Sequence, residues 1–398
     1  MVTSSYPKHP GDVTAPFIES IALAVAGRGH SVDLVLPRHP QLRRGADEPV
    51  RFYPYRYAPD AWSRWGYAQS LASDVRVRPS AYLLLPLAAA GLRAAVGARL
   101  AAARYDVMHV HWLVPNAALV QDIARTHGVP LVVSLHGSDV FVAERLWPAR
   151  ILARRALGQA GAVTACSSDL RERALALGAR PARTRTLPYG VDLEAFRPER
   201  GDAGWRSRLG LPAGELLVLA CGRLVEKKGF RQLVEAAARA PGIQLVIAGE
   251  GDLRAELAAL IEKTRAPARL VGALDRESLA NALAAADVVA IPSVVDRAGN
   301  VDGLPNSLLE ALAAGKAVVA SRVAGIPDVV EDGVTGLLLP PGDSAALAAA
   351  LELLRREPET RARLARGARQ LALRRLSWAE AARGFEESYV QAAALAAR

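Results

Sequence analysis

The stretch DGLPNSLLEALAAGKAVVASRVAGIPD, residues 302–328, predicts a loop, a helix, a buried strand and a second loop in that order. Residues 302–306, DGLPN, are typical of a turn. The leucines that follow recur at helical spacing, and Gly315 predicts the end of the helix. Residues 317–320, AVVA, form a short apolar run of the kind found in strands covered on both faces. The stretch therefore predicts an α/β fold with a parallel sheet.

Two carboxylates frame the predicted helix, since Asp302 lies in the loop and Glu310 lies eight residues later. Backbone N–H groups at the start of a helix have no partner within it, so the loop can cradle an anion. Glu310, about two turns into the helix, can accept hydrogen bonds from vicinal hydroxyls such as a ribose diol. The alternative is a solvated loop aspartate and a surface glutamate. The residues that follow Asp302 in the loop are Gly303, Leu304, Pro305 and Asn306.

A second stretch combines a buried strand, residues 216–220, with the loop GRLVEKKGF at 222–230. Arg223 and Lys228 are two cations five residues apart in a glycine-bounded strand-to-helix loop, which suits a diphosphate. A charged hydrogen bond contributes about 1.5–3 kcal/mol, whereas a helix end contributes about 0.3–1 kcal/mol, so we expect the side chains to dominate. Lys227 is interpreted as a solvated neighbour.

The beginning of the chain predicts a doubly wound unit. A short strand at 2–5 leads through a Pro/Gly loop at 7–12 into a helix at 14–27 and a strand at 32–36. Ligands of such folds bind at the carboxyl ends of the strands. Gly11 would let backbone approach a ligand closely. Asp12 could orient an acceptor hydroxyl or, as the alternative, cap its own loop.

Three histidines follow or occupy predicted strands. His109 and His111 alternate in the strand 106–111, so both lie on one face. A buried strand at 131–135 runs into His136-Gly137-Ser138-Asp139, where His136 can donate to a sugar hydroxyl and Asp139 can cap the next segment. No third ligand at suitable spacing is evident, so we predict no metal site.

The motifs resemble those of family 4 of the retaining GT-B glycosyltransferases, and the resemblance covers nearly the whole chain. It is carried by the pair Asp302 and Glu310 with the VVAS strand and Gly-Ile-Pro loop that follow, by Arg223 and Lys228, and by the His-Gly-x-Asp loop at His136. Many members have glutamate at the first acidic position, so Asp302 is shorter by one methylene.

The resemblance implies the fold and its organisation. The fold class is α/β of the GT-B type, with two facing doubly wound Rossmann-like domains and a cleft between them. Residues 1–195 are expected to form an N-terminal, acceptor-side domain, onto which a last helix at 378–398 packs back. Residues 196–377 are expected to form a C-terminal nucleotide-sugar-binding domain.

The resemblance also implies the activity, which is transfer of a sugar from a nucleoside-diphosphate sugar to an acceptor hydroxyl with retention of anomeric configuration. Relatives use a UDP-, GDP- or ADP-sugar, and we expect no metal or other cofactor. The acceptor class stays open among a sugar, a lipid-linked sugar and a small molecule.

The implied roles are as follows. Arg223 and Lys228 hold the donor phosphates, Gly11 approaches the diphosphate, Glu310 binds the ribose, Asp302 and His136 position the sugar, and the backbone near Leu274 meets the base. The loop of Gly303, Leu304, Pro305 and Asn306 contacts the donor, and Asp12 and His111 lie on the acceptor side.

Composition restricts the partners. Hydrophobic residues make up 51% and charged residues 23% of 398 residues, which is typical of a globular protein with two domains. The net charge of +10 comes from 50 cations and 40 anions, but no dense basic helix with interleaved aromatics predicts a nucleic-acid partner. A basic surface could instead contact an anionic membrane face. The stretch 51–67, dense in aromatics and arginine, is interpreted as a surface loop or as an acceptor or membrane-interface surface.

Location is predicted from cysteines and apolar runs. Cys166 and Cys221 fit neither a disulfide framework nor a metal site, which favours a reducing cytosol. No secretory signal is evident, and the longest apolar candidate is interrupted by Pro86 and followed by Arg93. We therefore expect no membrane span, and a cytoplasmic protein that could lie peripherally on the inner face of the cell membrane.

Two alternatives remain. A nicotinamide dehydrogenase shares the βα architecture, but the turn Gly249-Glu250-Gly251 lacks the third glycine of the dinucleotide fingerprint, where Arg254 stands instead. A non-catalytic nucleotide-sugar-binding or membrane-surface protein would keep Arg223, Lys228 and Glu310 and show no turnover.

Overall fold

The computed structural model describes residues 1–12, 14–62, 66–67, 79–201, 204–211 and 214–397. The strands within these ranges are β1 Val32–Pro37, β2 Val50–Tyr55, β3 Met108–His111, β4 Leu131–Leu135, β5 Ala162–Ala165, β6 Thr184–Thr186, β7 Leu216–Cys221, β8 Ile243–Ala248, β9 Ala268–Leu270, β10 Val288–Ile291, β11 Ala317–Ser321 and β12 Leu337–Leu339.

The α-helices of the described residues alternate with these strands over most of the chain. They are α1 Pro16–Ala26, α2 Pro79–Ala102, α3 Ala118–Thr126, α4 Ser138–Arg145, α5 Trp147–Gln159, α6 Ser168–Ala176, α7 Trp205–Arg208, α8 Phe230–Ala237, α9 Arg254–Thr264, α10 Arg276–Ala285, α11 Asn306–Ala313, α12 Ile326–Val329, α13 Ser344–Arg356, α14 Pro358–Arg375 and α15 Trp378–Ala396.

The chain divides into two compact units. Unit 1 comprises Met1–Tyr189 and Trp378–Arg398, and unit 2 comprises Gly190–Ser377. The junction between the units therefore lies between Tyr189 and Gly190, six residues before the boundary that we place after residue 195 from the sequence. Within unit 1, the last helix α15 packs against α1 and β5.

Unit 1 contains a parallel sheet that its first residues complete. The strands pair in the orders β1–β2 and β3–β4–β5–β6. Val2 bridges Val35 of β1 and Val110 of β3, with its N–H donating to the carbonyl of His109 at 2.9 Å. The chain runs from Val2 first to β1 and β2 on one side and then to β3 on the other. The strand order thus reverses between Val2 and β3, and the carboxyl ends at such a reversal are where doubly wound folds bind ligands.

Unit 2 contains a parallel sheet of order β12-β11-β10-β7-β8-β9. All six residues of β7 are buried, because helices cover both faces of a parallel sheet. The chain moves from β7 outward to β8 and β9 and returns beside β7 with β10. The reversal therefore lies between β7 and β10, and it brings the loops that follow these two strands together.

Strand β2 was not predicted from the sequence. Residues 50–55, whose aromatic and basic side chains suggest a surface loop, form β2 in parallel register with β1. Pro54 argues against a strand because it cannot donate a ladder hydrogen bond, but β2 pairs only with β1 among the described strands, and an edge strand tolerates proline. Residues 63–65 of the same aromatic stretch lie outside the described residues.

Helix α2 lies where the sequence predicts a helix over 82–103. Pro86 and Arg93, which interrupt the apolar run, both lie inside it. Its segment Leu83–Ala102 has the length and hydropathy that a membrane-crossing helix needs, and helices of soluble proteins can meet the same criterion. Ala88, Leu92 and Val96 of this helix are buried, and α2 packs against α3 and β1 of unit 1.

Candidate functional site

In unit 2, two glycines shape the loop that follows β7. Gly222 has a φ of +151°, and a Cβ there would lie 3.1 Å from Cε of Lys228. Gly229 has a φ of +67°, and a Cβ there would lie 1.8 Å from the carbonyl oxygen of Pro292. The glycines therefore let the loop pass directly against the end of β10 and leave room for the Lys228 side chain.

Lys227, Lys228 and Asp302 form a largely buried cluster of charges at this point. The ammonium of Lys227 lies 2.8 Å from Oδ1 of Asp302, and that of Lys228 lies 2.5 Å from Oδ2. The three side chains are only 10%, 15% and 14% exposed. Burial raises the pKa of Asp302, but the charges of Lys228 and Lys227 outweigh it and hold that pKa well below its usual range.

The cluster corrects one interpretation of the sequence. Lys227 is not a solvated neighbour of Lys228, because it is buried and its side chain is ion-paired. Residues 226–228 form a short 3₁₀ turn ended by Gly229, and this turn presents both ammonium groups to one carboxylate. Adjacent residues seldom share a face on an α-helix or strand, so spacing alone gave no signal for this arrangement.

Glu310 lies on α11, where the sequence places it. Burial raises the pKa of its carboxyl to about 7, against the opposing charges of Arg276 and Lys228. The neighbouring thiol of Cys221 at the end of β7 also has a raised pKa because of burial. Glu310 therefore changes its charge near neutral pH and faces the end of the strand that carries the Lys228 loop.

The loop before α11 is held by a hydrogen bond to the loop after β11. Gly303, Leu304 and Pro305 are buried and Asn306 is half-buried. The carbonyl of Gly303 accepts a hydrogen bond from the N–H of Gly325 at 2.9 Å, which ties this loop to the one that follows β11. The backbone that we predict to contact the donor is thus held in place by the second half of the 302–328 stretch.

Arg223 and Leu274, which we predict to contact the phosphates and the base, lie in loops outside this cluster. Arg223 is exposed in the same loop as Lys228, and its carbonyl accepts from the N–H of Val225 at 2.9 Å. Strand β9 ends at Leu270, so Leu274 lies in the loop that follows it. The carbonyl of Gly272 in that loop accepts from Gly249 at 2.7 Å.

The Gly249-Glu250-Gly251 turn has a packing role. A Cβ at Gly249 would lie 1.8 Å from the carbonyl oxygen of Gly222, and one at Gly251 would lie 2.6 Å from that of Leu224. Both glycines therefore allow two loops of unit 2 to touch backbone to backbone. This contact explains the glycine pair without a dinucleotide.

In unit 1, three side chains at the carboxyl ends of strands form a hydrogen-bonded chain. Nδ1 of His136 lies 2.7 Å from the hydroxyl of Tyr189, and its Nε2 lies 3.2 Å from Nδ1 of His111. Burial lowers the pKa of His136 to about 3 and that of His111 well below its usual value. Both rings are neutral at physiological pH, so His136 offers a neutral hydrogen-bonding group.

Aromatic rings surround His136. Phe17 stacks on Tyr189 with ring centroids 4.9 Å apart, and it lies 5.1 Å from the ring of His136. Trp112 lies 5.1 Å from the same ring and has a left-handed φ of +69°. Such a strained residue directly after a strand is often found at a binding site. Sequence reasoning missed Phe17, Trp112 and Tyr189, although Trp112 directly follows the predicted histidine strand.

Asp139 holds the His136 loop in place. One of its carboxylate oxygens accepts from the N–H of Gly137 at 2.9 Å, and the other accepts from the N–H of Leu113 at 2.7 Å. It therefore joins the loop after β4 to the loop after β3. The sequence identified Asp139 as a cap of its own segment and gave no indication of the second contact.

The Gly11 loop is organised by Asp12. The carboxylate of Asp12 accepts from Thr14 and lies 2.7 Å from the ammonium of Lys8. Gly11 is exposed with a φ of +84°, and a Cβ there would meet no atom within 4 Å. The backbone at Gly11 is thus open to an approaching group, while Asp12 is engaged within the loop.

Metal-ligating side chains do not gather in the part of the chain that the structure describes. No group of three or more His, Cys, Asp or Glu residues there could hold an ion.

Comparison with known proteins identifies the family. The model "Glycosyl transferase 4-like domain" matches residues 14–190, and "Glycosyl transferases group 1" matches residues 203–371. A D-inositol 3-phosphate glycosyltransferase of Xylanimonas cellulosilytica is 36% identical over 310 residues, which cover 72% of each chain. The chain belongs to the glycosyl transferases group 1 family. A glycogen synthase of Mycobacterium tuberculosis is 30% identical over 309 residues, covering 73% of this chain and 69% of the relative.

Solved structures agree on the fold of this glycosyltransferase. Sucrose-phosphate synthase from Thermosynechococcus elongatus matches with a TM-score of 0.78 at 23% identity, over 96% of this chain and 93% of that chain. HepE of Anabaena, in complex with UDP and glucose, matches with a TM-score of 0.74 at 20% identity, over 98% of each chain. The predicted family and the GT-B fold class are confirmed.

Proposed function

We propose that this glycosyltransferase moves a sugar from a nucleoside-diphosphate sugar to an acceptor hydroxyl with retention of anomeric configuration. The observation that carries the proposal is the cluster of Lys228, Asp302 and Glu310 where the strand order of unit 2 reverses. Cations in this place suit a diphosphate, and carboxylates suit hydroxyl groups. HepE, which shares the fold, is described in complex with UDP-glucose.

The donor residues act through electrostatics. Arg223 and Lys228 contact the diphosphate and stabilise the negative charge that develops as it departs. Glu310, once ionised, accepts hydrogen bonds from the ribose hydroxyls. Asp302 and the backbone of residues 303–306 contact the sugar, and the loop at Leu274 approaches the base.

Retention follows from attack on the face that the leaving group vacates. The bond from the acceptor oxygen to the anomeric carbon forms as the bond from that carbon to the phosphate oxygen breaks. The acceptor proton passes to the departing phosphate, which acts as the base. No Asp-x-Asp motif of a metal-dependent transferase occurs in the sequence, so we propose that Arg223 and Lys228 supply the positive charge and that no metal is required.

Unit 1 provides the acceptor side. Both ring nitrogens of His136 are engaged, one by Tyr189 and the other by His111, so a sugar hydroxyl would take the place of one of these partners. Phe17 and Trp112 beside the ring suit the apolar face of a sugar ring. The fully buried His111 holds His136 from behind, and Asp12 orders the Gly11 loop. Relatives include a D-inositol 3-phosphate glycosyltransferase and a glycogen synthase, so the acceptor is proposed only as a hydroxyl compound, which could be a sugar, a lipid-linked sugar or a small molecule.

Calorimetric titration with UDP, GDP, ADP and NAD tests the proposal. Binding of one nucleoside diphosphate is expected, and it identifies the base of the donor. The matching sugar nucleotide is then incubated with candidate acceptors, and the anomeric configuration of the product is read by NMR. Binding of NAD with none of the three diphosphates would refute the proposal, and a product of inverted configuration would refute retention. Nucleotide binding without any turnover would favour the non-catalytic alternative.

We further propose a cytoplasmic location with peripheral contact to an anionic membrane. Helix α5 exposes Trp147 (73%) and Ile151 (36%) and carries Arg150, Arg154 and Arg155 with no acidic residue. Such a combination suits the interface of an anionic bilayer. Sedimentation with phosphatidylglycerol vesicles should bring down the protein, and Trp147→Ser should weaken binding. Equal binding to neutral phosphatidylcholine vesicles would argue against a role for charge.

A further inference from the structure

We propose that Lys227 is a positioning residue for the donor sugar, because it holds Asp302 in place when Lys228 turns to the donor diphosphate. The inference deepens the proposed function and rests on it. Neither the sequence pattern nor the family comparison assigns a role to Lys227.

The geometry gives each lysine its own oxygen of one carboxylate. Lys227 contacts Oδ1 at 2.8 Å, and Lys228 contacts Oδ2 at 2.5 Å. The two contacts therefore do not compete, and Lys228 can leave while the Lys227 contact stays intact. This division of the carboxylate is the observation on which the proposal stands.

Lys227 is the more firmly held of the two cations. It is 8% exposed, and its carbonyl accepts from the N–H of Val294 at 2.9 Å. The turn that carries it ends at Gly229, whose backbone packs against the carbonyl of Pro292. Lys227 is therefore fixed to the loop after β10, which also leads to Asp302.

Charge explains why Asp302 needs a second cation. With no donor bound, its carboxylate is neutralised by two ammonium groups. An incoming diphosphate attracts Lys228 and adds negative charge near Asp302. Without Lys227, the enclosed carboxylate would face that charge unpaired, which is a costly arrangement away from water. It would then take up a proton or turn away, and in either case the hydrogen bonds that an ionised Asp302 accepts from the sugar would be lost.

The side-chain length of Asp302 fits this role. An aspartate side chain is short and has few rotamers, so the position of its carboxylate follows closely from the position of its backbone. The contact with Lys227, which is itself firmly held, can therefore fix the orientation of the Asp302 carboxylate. Lys227 is thus expected to act on the sugar and Lys228 on the diphosphate.

The experiment separates the two lysines. We would compare Lys227→Met with the conservative variant Lys227→Arg, with Lys228→Met, and with Lys263→Met on the exposed side of α9 as a control for loss of a lysine. The affinities for UDP and UDP-glucose are measured by calorimetry. If the wild type binds GDP or ADP instead, the pair is GDP and GDP-mannose or ADP and ADP-glucose. The ratio of the two affinities isolates the contribution of the sugar.

We expect Lys227→Met to weaken the nucleoside diphosphate a few-fold, because the diphosphate then competes with Asp302 for Lys228, and to lower the sugar contribution and kcat by about a further tenfold. Lys227→Arg should restore most of both. Lys228→Met should lower the affinities for the nucleoside diphosphate and for the sugar nucleotide by the same factor. A double-mutant cycle completes the test, since the effect of Lys227→Met should vanish in an Asp302→Asn background.

Four outcomes would overturn the inference. Equal loss of affinity for both nucleotides in Lys227→Met would make Lys227 a phosphate ligand. An undiminished effect in the Asp302→Asn background would place its action elsewhere, and no effect on either ratio or turnover would remove any role. A wild-type protein that binds no nucleoside diphosphate would refute the proposed function first, so failure of the function and failure of the inference are distinguishable.

Discussion

The two units use the same architecture and opposite chemistry at their strand ends. In unit 1 the carboxyl ends of β3 and β4 carry neutral histidines, which meet the hydroxyl of Tyr189 after β6 and the ring of Phe17 in α1. In unit 2 the ends of β7 and β10 carry two lysines paired with a carboxylate, and a glutamate lies nearby. In the proposed function, the reversal of strand order in each parallel sheet thus sets the place of the ligand, and the side chains there set its chemical class.

The difference in charge between the two sites arises from the groups that lie beside each buried side chain. Burial alone acts on His136, so the protonated ring is disfavoured and its pKa falls to about 3. Burial also acts on Asp302, but two lysines reverse its effect and keep the group charged. Unit 1 therefore supplies hydrogen bonds without charge, whereas unit 2 supplies charge.

The largest expected effect is on nucleotide binding by unit 2. Arg223→Ala and Lys228→Ala should each weaken nucleoside diphosphate binding roughly tenfold or more, since each removes a charged hydrogen bond worth about 1.5–3 kcal/mol. Calorimetric titration measures the change, and Lys263→Ala should bind as the wild type does. Wild-type affinity in a folded Lys228→Ala variant would refute the phosphate assignment and the contrast between the units.

The matching change in unit 1 should act on turnover instead. His136→Gln keeps a neutral hydrogen-bonding side chain but loses the ring that reaches both His111 and Tyr189, and we expect kcat to fall about tenfold with nucleotide affinity unchanged. Steady-state kinetics and calorimetry on one preparation measure both quantities.

Tyr189→Phe keeps the ring stack on Phe17 and removes only the hydroxyl that contacts His136. It serves as the milder variant if His136→Gln folds poorly, and its fall in kcat should be smaller. Weakened nucleotide binding in either variant would contradict the proposal that unit 2 binds the nucleotide and unit 1 provides the acceptor side.

How far the sequence predicts these sites depends on the range of the contact. Arg223, Lys228, Asp302 and Glu310 were predicted as binding residues because each lies within a short strand–loop–helix pattern. The contact between His136 and Tyr189 spans 53 residues, and no local pattern predicts it. The pairing of Lys227 with Asp302 depends on how two distant loops meet at the β7–β10 reversal. The strand β2 was missed because its proline is tolerated only at an edge, a position that sequence alone does not specify.

The next effect concerns pH and isolates one carboxyl of unit 2. The carboxyl of Glu310 has a pKa of about 7 in the folded protein against an ordinary value of 4.5. At this group the folded state binds more protons than the unfolded chain between these values, so the contribution of Glu310 to the free energy of unfolding should fall as pH rises through this window. Buried histidines of unit 1 such as His136, whose pKa is lowered, contribute with the opposite sign, so the effect of Glu310 is measured as the difference between a variant and the wild type. Nucleotide affinity should rise over the same window, because the ionised carboxylate accepts from the ribose hydroxyls.

Glu310→Gln should remove the contribution of this carboxyl to the pH dependence of both the free energy of unfolding and the nucleotide affinity. At pH 8 the variant should gain about 1–2 kcal/mol in free energy of unfolding, after allowance for the solvent that reaches this half-buried side chain, and at pH 4 it should match the wild type. Denaturant titrations between pH 4 and 8 measure the difference. Glu262→Gln, which changes an exposed glutamate of α9, is the control for loss of a surface carboxyl. A stability difference between Glu310→Gln and the wild type that stays constant from pH 4 to 8 would refute the assignment of this titration to Glu310.

The smallest effect compares the backbones of the two units. Ala15 in unit 1 and Ala324 in unit 2 both have a φ of +49°, a left-handed conformation that strains any residue with a Cβ. Relief of that strain by glycine is partly offset by the greater freedom of glycine in the unfolded chain, so Ala15→Gly and Ala324→Gly should each stabilise by about 0.5 kcal/mol. Ala349→Gly on the exposed side of α13 should instead destabilise by about 1 kcal/mol. Because the strain is the same in both loops, equal gains are expected whatever the chemistry of the neighbouring site. A loss at Ala324 alone would mean that the loop tied to Gly303 uses its methyl group for packing, and the charged site would then depend on that packing in a way that the neutral site does not.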